Sequence, residues 1–306
     1  MLERISPAGW PQLFSVALIA AMTIATNGNA EEPEIKLWPN GLPESSRPAP
    51  EPKVDSPKKV DPERLTRVVD PTLTVMKAPT DIANGAACVV FPGGGYQILA
   101  WQKEGIELGK WFNEQGVTAI IVKYRIPRRG PDNFHVEPFQ DGMRAIRMTR
   151  HHSKEWGIDP NRVGVAGFSA GGHLALMTAM HYDEPPYEGR DIIDRQNARP
   201  DFCCGIYAAY LGDNYKDNIA ELGPLVKVTK DTPPTFFAVT MDDTYRGVQA
   251  GQLLKLYKDA GVSAEAHIYS SGGHGYGLRA DKGKPVSGWP KQLGDWLKFS
   301  GFYKAR

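Results

Sequence analysis

The sequence predicts an α/β fold, a mostly parallel central sheet with helices on both faces. Three observations carry this prediction. From about Leu73 onward, short runs of consecutive apolar residues alternate with segments of helical periodicity. Runs apolar at every position are the mark of strands buried on both faces. No linker-like stretch interrupts the alternation, so one large domain over residues 71–306 explains it better than two.

The elements follow in order. Ala87–Pro92 (ACVVFP) is a β-branched run that ends on glycines, and LGKWFNEQG sets Leu108 and Phe112 one helical turn apart before Gly116. Thr118–Tyr124 (TAIIVKY) is a second buried strand. A long helix follows with Phe139, Met143 and Ile146 on one face, closed by Gly157. RVGVAGF then reads as strand, AGGHLALMTAM as helix, CGIYAAY as strand and Thr235–Thr240 (TFFAVT) as strand. A helix near Val248–Ala260, a strand at Ala264–Ser270 and a last helix from WPKQLGDWLKF complete the pattern.

The N-terminal 70 residues read differently. Residues 1–30 combine Arg4, the apolar run Leu13–Ala25 and the small residues Gly28–Ala30, the pattern of a cleaved export signal rather than a membrane span. This predicts an exported protein, periplasmic or extracellular, with no membrane span in the mature chain. Residues 31–70 are rich in proline and charge and predict an extended arm over the domain surface, anchored at Trp38 and Leu42. A net charge of +1 gives no field for nucleic acid. Cys88, Cys203 and Cys204 form neither a disulfide framework nor a metal spacing, and read as buried apolar residues.

In parallel sheets of this kind, ligands bind where strands end at their carboxyl edge. One such end reads Gly167-Phe168-Ser169-Ala170-Gly171, between an apolar strand and an apolar helix. A serine in so tight a turn takes a strained backbone, and side chains two positions away would collide with it. The glycines remove them, and the hydroxyl stands clear beside the free N–H groups that open the helix. The same bases allow a glycine-rich turn that serves only the backbone.

A serine hydroxyl needs a base, and the base an orienting acid. With a strand–serine–helix elbow, the chain order is serine, acid, histidine. Asp242 and Asp243 end one strand, and His274 ends the next among glycines. Of the seven histidines, His151 and His152 read as solvated, His173 as local packing one turn past Ser169, and His267 lies within a strand. Either aspartate suits the acid, the other then capping its loop. Gly94 and Gly95, in FPGGGY after a strand, supply backbone N–H groups for an oxyanion, with Ala170 as partner. The phosphate-loop spacing is absent. Tyr96 and Tyr124 are the substrate-binding candidates. Tyr124 and Arg125 either line the pocket or brace a loop.

LWPNGLP, VVFPGGGYQ, VKYRIP, the block from DGMRAIRMTR to VGVAGFSAGGHLA, VTKDTPPTFF, the paired aspartates and GGHGYG occur in one order. Over roughly residues 35–300 this resembles the secreted bacterial α/β-hydrolase esterases similar to acetyl-xylan esterases and bifunctional feruloyl and acetyl-xylan esterases. The resemblance implies carboxylester hydrolysis by a Ser–His–Asp triad, without metal or cofactor, on acetyl or feruloyl groups of plant-type polysaccharides or oligosaccharides. It places the nucleophile on Ser169, the base on His274, the acid on Asp243 and the oxyanion glycines within Gly93–Gly95. Thr240 and the TYRGV stretch depart from the family's pattern around the acid, and Leu211–Val228, expected to roof the pocket, carries no family signature. Two alternatives remain. A serine exopeptidase of this fold usually carries a second large domain, for which the residues after the signal leave no room. A non-catalytic binding protein would lack a member of the serine, acid and histidine set.

Overall fold

The computed structural model describes residues 34–44, 46–50, 61–184 and 186–303. The expected signal at 1–30 and the middle of the arm lie outside the described residues. Among the described residues one sheet has eight strands: β1 (Glu34–Lys36), β2 (Thr72–Met76), β3 (Ala87–Phe91), β4 (Thr118–Lys123), β5 (Val163–Phe168), β6 (Cys203–Ile206), β7 (Thr235–Thr240) and β8 (Ala264–Tyr269). Their spatial order is β1-β2-β4-β3-β5-β6-β7-β8. β2 runs antiparallel to both β1 and β4, and every pairing from β4 through β3 to β8 is parallel.

Period-two alternation divides the core. Val89 and Phe91 of β3 face one layer, with Met143 and Ile146 of α2 (Val136–His151), Leu174 of α4 (Ala170–Met180) and Leu253 of α5 (Arg246–Asp259). Cys88 and Val90 face the other, with Leu108 and Phe112 of α1 (Glu107–Glu114) and Leu293 and Leu297 of α6 (Trp289–Phe299). Each such side chain contributes about 1.5–3 kcal/mol on full burial, and this two-sided burial is why the strands read as unbroken apolar runs. All three cysteines are free and buried.

Three elements differ from the prediction. The arm adds to the sheet: Ile35 of β1 pairs with Leu73, and Leu37 and Trp38 are buried. Its anchor is polar as well as apolar, because Trp38 Nε1 donates to Asp141 Oδ1 at 2.8 Å. The strand expected from CGIYAAY stops at Ile206. Tyr207 and Tyr210 have φ of 36° and 60°, and Ala209 N–H donates to Ser169 O at 3.1 Å. The chain bends around the serine turn instead of continuing its ladder. The long helix breaks at His152, between α2 and α3 (Ser153–Trp156), and Gly157 caps it at φ 71°.

Candidate active site

Ser169 sits between β5 and α4 with φ 52° and ψ −118°, a conformation that costs a non-glycine residue about 1–3 kcal/mol. The neighbours account for the glycines. A Cβ at Gly167 would lie 2.0 Å from Gly171 O, and one at Gly171 would lie 2.0 Å from Phe91 O. The turn is fixed by Ser169 N–H donating to Ile206 O at 3.0 Å and by His173 N–H donating to Ser169 O at 2.9 Å.

The loop after β8 brings His274 over this serine. Gly272, Gly273, Gly275 and Gly277 all have positive φ, which lets the chain fold back sharply. His274 Nε2 lies 2.8 Å from Ser169 Oγ, and its Nδ1 lies 2.7 Å from Asp243 Oδ2. Asp243 is buried, whereas the His274 side chain is about one-third exposed (36%). Asp242 takes the other part: its carboxylate accepts N–H groups of Gly272 at 3.1 Å and Gly273 at 2.9 Å. The backbone bond from Gly273, with Thr240 and Gly272, holds that carboxyl down to about 2. Thr240, where the sequence departs from the family pattern, donates to Gly273 O at 2.9 Å and braces the same loop. Arg246 donates to Asp243 Oδ1 and, at 2.7 Å, to Asp217 Oδ2.

The glycine loop after β3 borders the serine, since a Cβ at Gly93 would lie 3.0 Å from Ser169 Cβ. Gly94 (φ 133°) and Gly95 (φ 64°) follow in backbone states that favour glycine. Among the described residues, the N–H groups of Gly94, Gly95 and Ala170 have no protein acceptor, which leaves them available to an oxyanion. Gly93 N–H is already committed, donating to Glu104 Oε2 at 2.8 Å.

Tyr96 and Tyr124, expected to bind substrate, do not reach the surface. Both are fully buried. The Tyr96 hydroxyl lies 2.9 Å from His173 Nδ1, and Tyr124 donates to Pro92 O at 2.5 Å. Tyr124 thus holds the start of the glycine loop, and Tyr96 ties its end to α4. Arg125 braces rather than lines, in a fully buried ion pair with Asp141 at 2.8 Å. A separate cavity of about 260 Å³, lined by His173, Tyr210, Leu211, Tyr215 and Leu225, opens one helical turn along α4 from Ser169 under part of the expected roof. Of the other histidines, His151 is exposed and His152 stacks on Trp156 at 5.0 Å.

Sequence reasoning missed Glu104, Tyr207 and Arg246. Glu104 lies in a π-helical turn, Trp101–Ile106, ahead of the LGKWFNEQG segment read as helix. Burial raises its carboxyl above the usual range, against the lowering effect of bonds from the Tyr207 hydroxyl and Gly93 N–H.

The parallel sheet, the strand–serine–helix turn and the placement of acid and histidine loops at neighbouring strand ends define an α/β hydrolase. The BD-FAE family model matches residues 76–202. An acetyl ester-xyloside bifunctional hydrolase from Caldicellulosiruptor lactoaceticus superposes with a TM-score of 0.69 at 30% identity, over 90% of this chain and 98% of that one. An acetylxylan esterase of Xylanibacter ruminicola is 31% identical over 243 residues, 70% of this chain and 46% of that protein. Endo-1,4-beta-xylanase B of Butyrivibrio fibrisolvens is 27% identical over 220 residues, 66% of this chain and 34% of that protein. The chain thus spans under half the length of these two curated relatives. It belongs to the α/β-hydrolase esterase family that includes the acetylxylan esterases.

Proposed function

We propose that this protein is a serine carboxylester hydrolase that removes acetyl, or feruloyl, groups from polysaccharide or oligosaccharide esters. One observation carries the reading: the Ser169–His274–Asp243 line, with hydrogen-bond separations of 2.8 and 2.7 Å. Ser169 Oγ attacks the ester carbonyl while its proton passes to His274 Nε2. Asp243 holds the imidazole by Nδ1–H and stabilises the imidazolium. N–H groups of Gly94 or Gly95 and of Ala170 receive the developing oxyanion. The C–O bond to the sugar breaks, and the departing alkoxide takes the proton from His274. Water then attacks the acyl-enzyme with His274 again as base, which releases the acid and restores Ser169.

The likeness to an acetylxylan esterase and to an acetyl ester-xyloside bifunctional hydrolase supports an acetylated xylan fragment as substrate. The apolar segment at residues 13–25 supports export. Among the described residues, no helix is long and apolar enough to cross a membrane. The test is a panel of acetylated xylan, methyl ferulate, p-nitrophenyl acetate and an aminoacyl-naphthylamide, run on wild type and Ser169→Ala. Ester cleavage by wild type and loss of about 10³-fold or more in the variant is expected. Equal rates in the two proteins sink the reading, and preference for the naphthylamide favours an exopeptidase instead.

A further inference from the structure

We infer that Glu104 is a positioning residue for this reaction: its carboxylate ties the glycine loop after β3 to the loop that carries His274. The inference rests on the hydrolase reading above and adds a residue outside the serine, histidine, acid and oxyanion set. Two bonds make the tie. Oε2 accepts Gly93 N–H at 2.8 Å, and Oε1 accepts the Tyr207 hydroxyl at 2.9 Å. The Tyr207 hydroxyl in turn accepts Gly277 N–H at 3.0 Å, and the Tyr207 ring stands edge-on to His274 with centroids 5.0 Å apart. The preceding residue reaches the same loop, with Lys103 Nζ donating to Gly275 O. One turn of helix therefore holds both halves of the site.

The arrangement is costly in ways that fold stability alone does not require. A carboxylate buried to 5% exposure, with no ion-pair partner among the described residues, is expensive even when both oxygens are bonded. The turn that presents it is π-helical, a rare geometry that is frequent at functional sites. Tyr207 meets it from a left-handed backbone, φ 36°. Gly93 is pinned between the two chemistries: a Cβ there would lie 2.5 Å from Glu104 Oε2 and 3.0 Å from Ser169 Cβ. By accepting Gly93 N–H, Glu104 fixes the first peptide of the loop whose next two N–H groups, Gly94 and Gly95, are the oxyanion candidates. The titratable and charged groups around the carboxyl are Lys103, Tyr124, Tyr207 and His274.

The test is steady-state hydrolysis of p-nitrophenyl acetate by the full chain, with rates divided by the sites that a fluorophosphonate labels at end point. Glu104→Ala is expected to lower kcat about 100-fold with KM within about threefold, the size of effect that misplaced catalytic donors produce. Glu104→Gln, which keeps an oxygen for Gly93 N–H, is expected to recover at least about tenfold of that loss. Tyr207→Phe, which keeps the ring and removes the bridge, is expected to lose about tenfold. Wild-type kcat per labelled site in Glu104→Ala, or a raised KM at unchanged kcat, overturns the inference. If Glu104→Ala does not fold, an unchanged kcat in Tyr207→Phe overturns it equally. A wild-type protein inert toward esters takes down the hydrolase reading itself, which is a separate and recognisable failure.

Discussion

Arg246 and His274 share one carboxylate. Asp243 Oδ2 faces His274 Nδ1 at 2.7 Å while Oδ1 accepts from Arg246 Nη1. The guanidinium also binds Asp217 Oδ2 at 2.7 Å, and Asp217 Oδ1 accepts Tyr210 N–H at 2.6 Å. The acid is thereby aimed at the imidazole from a frame that extends to the loop after β6.

Arg246→Ala is expected to do two things at once. Asp243 is buried, so loss of its cation leaves an uncompensated charge, a cost of about 3 kcal/mol. The freed carboxylate also loses its aim, with kcat falling about tenfold at little change in KM. Urea denaturation and steady-state kinetics on one preparation check both. An unchanged midpoint together with unchanged kcat contradicts the framing role.

The neighbouring aspartates are predicted to behave very differently. Asp243→Asn presents the wrong partner to Nδ1 and is expected to cost about 10⁴ in kcat. Asp242→Asn removes only the carboxylate that accepts Gly272 and Gly273 N–H, and should leave kcat within about tenfold of wild type. Its carboxyl sits at about 2, below the ordinary value of 3.8. The contribution it makes to stability is therefore complete above the ordinary value and lost as pH falls through about 2. Asp242→Asn should lose that acid-side dependence. Comparable kcat losses in the two variants would undo the division of labour between them.

What could be read from the chain alone follows from the reach of each constraint. The serine turn is legible because its steric demands are local: Gly167 and Gly171 flank Ser169 within two residues, and each excludes a side chain by direct contact with backbone. The sheet is legible because two-sided burial leaves strands apolar at every position. His274 follows from chain order and strand ends, which leave Asp242 and Asp243 equally placed; only the family resemblance points to Asp243. Glu104 was hidden, because its partner Tyr207 is 103 residues away and nothing local asks for a carboxylate. Tyr96 and Tyr124 misled for a related reason. A strand end says where a residue sits, whereas side-chain direction depends on what packs beneath, here His173 and the Pro92 carbonyl. The arm looked like mere covering since its proline and charge mask β1 and the Trp38–Asp141 bond.

His135 makes the remaining prediction, on stability against pH. It is buried beside His173, with ring centroids 5.5 Å apart, and its Nδ1 finds no partner among the described residues. Burial, then the nearby His181 and Arg47, push its folded value down from 6.5 to about 4, with Glu137 opposing. A base whose folded value lies below its unfolded one binds the proton more readily when unfolded. Stability is then full above the unfolded value and declines as pH falls from about 6.5 toward 4, by about 3 kcal/mol at the low end. His173 is pushed down in the same direction by its own burial, so it contributes a slope of like sign. His135→Phe keeps a flat ring in the aromatic cluster with Phe134 and Tyr215 and removes the titration. Urea midpoints at pH 7 and pH 4.5 should draw closer in this variant than in wild type. A difference between the two pH values as large in His135→Phe as in the parent would show that the acid sensitivity originates elsewhere.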